Sequence, residues 1–169
     1  MNRTWMRFIS PRTIRIGLLA GLAGGLAEIL WVGLLAAGGS ADAGAVAFEV
    51  SRTLFPQLAP SQGAIWLGVA IHMALAAGLG VFFLLGLRVA RLPIPTPVLI
   101  AGAALIFGAG IWAVNFLILL PRIGPDFVAL LPFGVTLASK LLFGLGLAVG
   151  LLAQGRSDLI EAPRALARR

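Results

Sequence analysis

The sequence predicts an all-α integral membrane protein, a bundle of four transmembrane helices built as two similar hairpins. Three observations predict it. Of 169 residues, 60% are hydrophobic and only 11% charged, against about a quarter charged in soluble domains, and the mean hydropathy is +1.03. Four apolar runs reach the roughly 20 residues that cross a bilayer as helix. The 13 basic residues gather at alternate ends of those runs, as membrane topology requires.

The first span is placed at 16–37, after a basic N-terminal segment, 1–15, that holds Arg3, Arg7, Arg12 and Arg15. A cleaved signal peptide is the competing reading, with Ala41-Asp42-Ala43 as its cleavage site. The apolar run is too long for that and carries Glu28 inside it, so an uncleaved span is expected. The connection 38–63 should hold a short helix at 43–55, capped by Ser40 or Asp42 and lying at the outer interface on Phe48, Val50, Leu54 and Phe55.

The second span is placed at 64–87. The loop 88–97 carries Pro93, Pro95 and Pro97 and should be stiff. The third span, 98–120, ends before Pro121, and 121–131 reads as a turn at Gly124-Pro125-Asp126 followed by a short interfacial segment. The fourth span, 132–153, leads into a basic tail, 154–169. With both termini cytoplasmic, the inside holds Arg3, Arg7, Arg12, Arg15, Arg88, Arg91, Arg156, Arg164, Arg168 and Arg169. The outside holds Arg52 and Arg122, and Lys140 falls within the fourth span. This asymmetry sets both termini inside.

The halves resemble each other. Gly68-Val69, Leu75 and Gly78-Leu79-Gly80 recur at the same offsets as Gly134-Val135, Leu141 and Gly144-Leu145-Gly146. The first and third spans each carry a tryptophan in their outer half, Trp31 and Trp112. A duplicated hairpin with parallel repeats accounts for this.

Composition removes several chemistries. There is no cysteine and one histidine, which excludes thiolate metal sites, iron–sulfur clusters and bis-histidine haem within one chain. No metal and no cofactor is expected. The net charge of +7 lies at helix ends, not on a nucleic-acid-binding module. No phosphate loop or zinc-protease motif is present. Ser139 and Lys140 adjoin, but neighbours on a helix point about 100° apart, so a serine–lysine nucleophile is not expected. The chain reads as non-enzymatic.

Helices in lipid associate through close packing of small residues. Gly17, Gly21 and Gly25 recur at spacing four, and Ala64, Gly68, Ala76 and Gly80 form a stripe through His72. Gly144 and Ala148 follow Lys140 on one face, and Ala101, Ala104 and Gly108 lead towards Asn115.

Four strongly polar side chains fall inside spans: Glu28, His72, Asn115 and Lys140. A charge at mid-bilayer costs about 2.5–3.5 kcal/mol on insertion scales, so each needs a partner. Counted from the outer ends at about 1.5 Å per residue, Glu28 lies roughly 14 Å deep, His72 and Lys140 roughly 12 Å, and Asn115 about 8 Å. These groups are expected to meet inside the bundle, with Thr136, Ser139 and Asn115 as hydrogen-bond partners. A structural Glu28–Lys140 pair is the leading reading. A proton or ion pathway, and a contact to a partner subunit, a quinone or a single-ligand haem, are the others.

The run Gly68-Val69-Ala70-Ile71-His72 with Gly78-Leu79-Gly80, the run Trp112-Ala113-Val114-Asn115-Phe116 and the run Ser139-Lys140-Leu141-Leu142-Phe143-Gly144 resemble a group of small four-helix inner-membrane proteins of bacteria with no established activity. The likeness covers about residues 16–153. It implies a four-span fold and no particular reaction. Similar proteins carry a histidine near the Ser139-Lys140 position, and Lys140 departs from that pattern. The expected role is an accessory or assembly subunit of a larger membrane complex, contacting lipid and either other subunits or further copies of itself. A small oligomeric transporter or ion conductor is the alternative.

Overall fold

A computed structural model describes residues 10–58, 63–90 and 96–154. The described residues are helical, with no strand among them. Arg3, Arg7, Arg91, Pro93, Pro95, the basic tail from residue 155 and most of the segment 1–15 lie outside the described residues. Four helices are long and apolar enough to cross a membrane: Pro11–Ala37, Ala64–Val89, Pro97–Ile123 and Phe133–Ala153. Large apolar side chains cover their outer surface, Leu34 at 70% exposure and Ile106 at 76% among them. These surfaces suit lipid and mark a membrane protein.

Helix α1, Pro11–Ala37, begins five residues before the expected start. Ser10 caps it, its hydroxyl accepting from the Thr13 amide at 3.1 Å, and Pro11 occupies the first turn, where its missing N–H costs nothing. At about 40 Å α1 exceeds the ~30 Å hydrocarbon core, so Arg12 and Arg15 ride on the helix rather than precede it. It ends at Gly38 and Gly39. Gly39 has φ +72°, and the amides of Gly39 and Ser40 bond the carbonyls of Ala36 and Leu35. Only glycine adopts this left-handed stop cheaply.

Helix α2, Ala43–Leu54, is capped by Asp42, whose carboxylate accepts from the Ala45 amide at 2.9 Å. Ser40 does not serve as the cap. The helix lies against the start of α3, Ala64–Val89. At the crossing a Cβ on Gly68 would collide with the Ala47 carbonyl. Buried Ser51 donates to the Ala64 carbonyl at 2.7 Å. Ser51→Ala should therefore cost about 1 kcal/mol, seen as a lower thermal midpoint in detergent. An unchanged midpoint would mean that α2 docks outside the cooperative unit.

Helix α4, Pro97–Ala113, does not stop near Leu120 as the sequence suggested. A π-helical segment, Val114–Leu119, and one turn, α5, Leu120–Ile123, carry it onward. The Leu120 amide reaches back five residues to the Asn115 carbonyl. Pro121 explains the widening, because its ring would clash with the carbonyl four residues earlier in a regular helix, and the wider turn relieves that clash. Helix α6, Pro125–Ala129, is the short segment expected after the Gly124 turn, and α7, Phe133–Ala153, is the last span.

Small residues decide which helices pair. Helix α1 presents Gly17 and Gly21 to Val81 and Ala76 of α3, and Gly80 answers them. A second glycine face of α1 meets α7: Gly24 rests on Phe143, while Gly146 and Gly150 rest on Ala23 and Ala20. Helices α4 and α7 cross at Gly108 and Gly144, which abut the carbonyls of Lys140 and Ala104. The order across the bundle is thus α3, α1, α7, α4. Helices α3 and α4, with their small faces already engaged, meet through bulky rings, Phe83 to Phe107 at 5.1 Å and Phe82 to Phe107 at 6.1 Å between centroids. These rings are the contact between α3 and α4, whose backbones otherwise approach little.

Each expected hairpin is thus a packed pair. Gly80 and its counterpart Gly146 both pack on α1, whereas the other two glycine pairs fall in unlike places. Gly144 is packed while its counterpart Gly78 faces open space, and Gly68 is packed while Gly134 is open.

Candidate functional site

The bundle has two halves of different character. Towards the end that carries Pro11 and Ala153, the interior is apolar. Ile16, Ala20, Phe83, Leu84, Ile100, Ala104, Phe143, Leu147 and Leu151 form one buried cluster. Two polar straps hold its rim. Arg88 donates to the Thr13 hydroxyl, tying α3 to α1, and the Gln154 amide donates to the Ile16 carbonyl at 3.2 Å, tying α7 to α1.

Towards the α2 end the interior is polar. Glu28 is 4% exposed. Its Oε1 accepts from Lys140 Nζ at 2.6 Å and from the Ser139 hydroxyl at 2.9 Å. Neighbouring residues on α7 thus converge on one oxygen, and they reach it from two sides rather than bonding each other. His72 Nε2 lies 3.3 Å from the Gly25 carbonyl and 3.8 Å from Glu28 Oε2. A carbonyl can only accept, so Nε2 carries the proton. The absent Cβ of Gly25 leaves space beside His72, Met73 and Ala76 for this approach. The expected meeting of Glu28, His72 and Lys140 therefore occurs, and Ser139 is a partner as expected.

Thr136 and Asn115 behave differently from expectation. Thr136 accepts from the Trp112 indole at 3.0 Å and donates to the Phe133 carbonyl at 3.0 Å, so it braces helices rather than the ion pair. Asn115 makes no side-chain hydrogen bond to the cluster among the described residues. It lies in the π segment, where the widened turn breaks the periodicity used to place it. The sequence reading also missed that both tryptophans anchor the start of α7. Trp31 donates to the Val135 carbonyl at 3.3 Å, one residue from the Trp112 contact. Their shared position in the outer halves of the first and third spans was the available signal.

A cavity of about 610 Å³ opens above the cluster. Glu28, His72, Ser139 and Lys140 line its base, Asn115 and Phe116 stand on the π segment, and mostly apolar side chains supply the rest. Helices α2 and α6 roof it. Arg52 on α2 clasps them together, bonding Asp126 at 2.5 Å and Glu49 at 2.9 Å. Those bonds, Asp126 first, raise the Arg52 pKa further. On the side of α3 and the π segment the lining residues Leu75 and Leu119 are exposed, so the cavity opens there. No group of three or more metal-binding side chains occurs among the described residues.

No known protein family, curated protein or solved structure matches the chain. Its chemistry is therefore argued from the site alone.

Proposed function

We propose that this chain is a non-enzymatic subunit of a larger membrane complex, an accessory or assembly component of the bacterial inner membrane with both termini cytoplasmic. The observation that carries the reading is the pairing order of the helices. Helices α1 and α7 are packed on two faces, whereas α3 and α4 leave a flank that their own bundle does not close. A self-sufficient four-helix protein would pair all four neighbours. The arginines support this orientation, with Arg12, Arg15 and Arg88 at one end of the bundle and Arg52 and Arg122 at the other.

The transport alternative draws on the cavity, which brings Glu28, His72 and Lys140 to one accessible space. Against it stands the apolar half below. Phe143 lies one turn beyond Lys140 at 1% exposure, with Leu147 and Leu151 behind it at 0%. Water and ions find no polar partner along that path, so conduction would need a second arrangement of the helices or further copies of the chain.

Gentle extraction from native membranes, native sizing and mass spectrometry separate the two. Stoichiometric co-migration with a defined membrane complex is expected. Migration alone or as a homo-oligomer, together with ion flux in proteoliposomes that Glu28→Gln abolishes without loss of fold, would replace this reading with transport.

A further inference from the structure

We infer that the cavity between α3 and α4 is a binding site for an uncharged amphiphile, a lipid-soluble molecule with a carbonyl head that enters sideways from the bilayer. The inference does not depend on the subunit reading. Its basis is the match between the charge, hydrogen-bonding capacity and access of the cavity.

Charge comes first. Glu28 and Lys140 are the two formally charged residues that line the cavity. They are bonded to each other at 2.6 Å, so with a neutral His72 the site carries no net charge. An ionised head would sit in apolar surroundings with no counter-charge and would compete for a pair already made. A neutral head meets no such cost.

Hydrogen bonding comes second. Lys140 has three donors, and Glu28 takes one of them. The Asn115 amide borders the same space and bonds no other side chain or backbone group among the described residues. The Trp31 and Trp112 indoles and the Thr136 hydroxyl are already occupied. Lys140 and Asn115 offer N–H donors that suit a carbonyl oxygen, while Glu28 Oε2 and the Asn115 side-chain oxygen remain as acceptors for a hydroxyl beside it.

Access comes third. About 610 Å³ suits a head group and a short length of chain, within the usual range for small-molecule sites. The roof of α2 and α6 is clasped by Arg52, and the base is the Glu28, His72, Ser139 and Lys140 cluster. The remaining opening faces lipid, through which a longer tail would extend. Two classes of membrane molecule share this chemistry, alkyl quinones and neutral glycerides.

Native mass spectrometry of the purified full chain in detergent tests the inference. The probes are 2-decyl-1,4-benzoquinone, 1,2-dioctanoylglycerol, decanoate and dodecane. Saturable one-to-one binding of at least one of the two neutral carbonyl probes is expected. Decanoate and dodecane should bind at least about tenfold more weakly, the cost of one unmatched charge or hydrogen bond. The stronger of the neutral probes distinguishes a redox lipid from a glyceride. Asn115→Leu should keep or raise the thermal midpoint while weakening the neutral probe about tenfold. Val69→Phe, which fills the cavity from α3, should abolish binding and serves should Asn115→Leu fail to fold. Equal binding of decanoate or dodecane, no binding of either neutral probe, or full affinity in both variants would overturn the inference.

Discussion

Glu28→Gln is expected to destabilise the protein by about 3 kcal/mol or more, the usual cost of breaking a buried ion pair from one side. The carboxylate is 5% exposed and takes two donors on one oxygen. Removing its charge leaves the Lys140 ammonium, itself 16% exposed, with a neutral amide in its place. The loss would appear as a lower unfolding midpoint in detergent or bicelles. The diagnostic variant is the double one. Glu28→Gln with Lys140→Met removes both charges and should recover most of the stability, since a buried pair is often replaceable by apolar residues of like volume. The exchange of Glu28→Lys with Lys140→Glu should recover part of it, limited by Ser139, which donates to the carboxylate where it now stands. Should Glu28→Gln fold as well as the native chain, the pair would not hold α1 to α7, and a transport role for Glu28 would gain ground.

The polar cluster was legible in the sequence for one physical reason. A charge in the bilayer is so costly that its partner must lie at the same depth, and depth can be counted along a helix. Glu28, His72 and Lys140 were found in this way. Asn115 was not placed correctly, because counting assumes 3.6 residues per turn and Pro121 imposes a wider π segment, Val114–Leu119, that contains Asn115. The helix ends were legible within a few residues, except where Pro11 and Ser10 start α1 early and where the π segment carries the third span past Pro121. The cavity was not legible at all. It arises because α3 and α4 spend their small faces on α2, α1 and α7 and face each other with Phe82, Phe83 and Phe107. Glycine stripes say that a helix packs closely without saying against which neighbour. Helix α1 shows the difficulty, since Gly21 serves α3 and Gly24, three residues on, serves α7.

Two glycines on one helix should respond to alanine in opposite directions. Gly80→Ala places a Cβ against the Gly17 carbonyl and within 2.5 Å of Gly21 Cα and N. These are backbone atoms on a rigid helix and cannot move aside as a side-chain tip would. Helices α1 and α3 must separate, losing the close contact that associates helices in lipid. A cost of about 3 kcal/mol is expected, at the upper end for overpacking, because the obstruction is backbone on both sides. Gly78, two residues earlier, has nothing within 4 Å of an added Cβ. Gly78→Ala should therefore stabilise by up to about 1 kcal/mol, the helix-propensity difference. The contrast is unavailable to any account in which α3 glycines act only through flexibility, since both variants would then stabilise alike. It also separates the packing order from the repeat. By offset Gly78 corresponds to Gly144, which abuts the Ala104 carbonyl. If Gly78→Ala were as damaging as Gly144→Ala, the two hairpins would be packed equivalently and the order α3, α1, α7, α4 would be wrong. Opposite signs at Gly78 and Gly80, with Gly144 following Gly80, are what this asymmetric bundle requires.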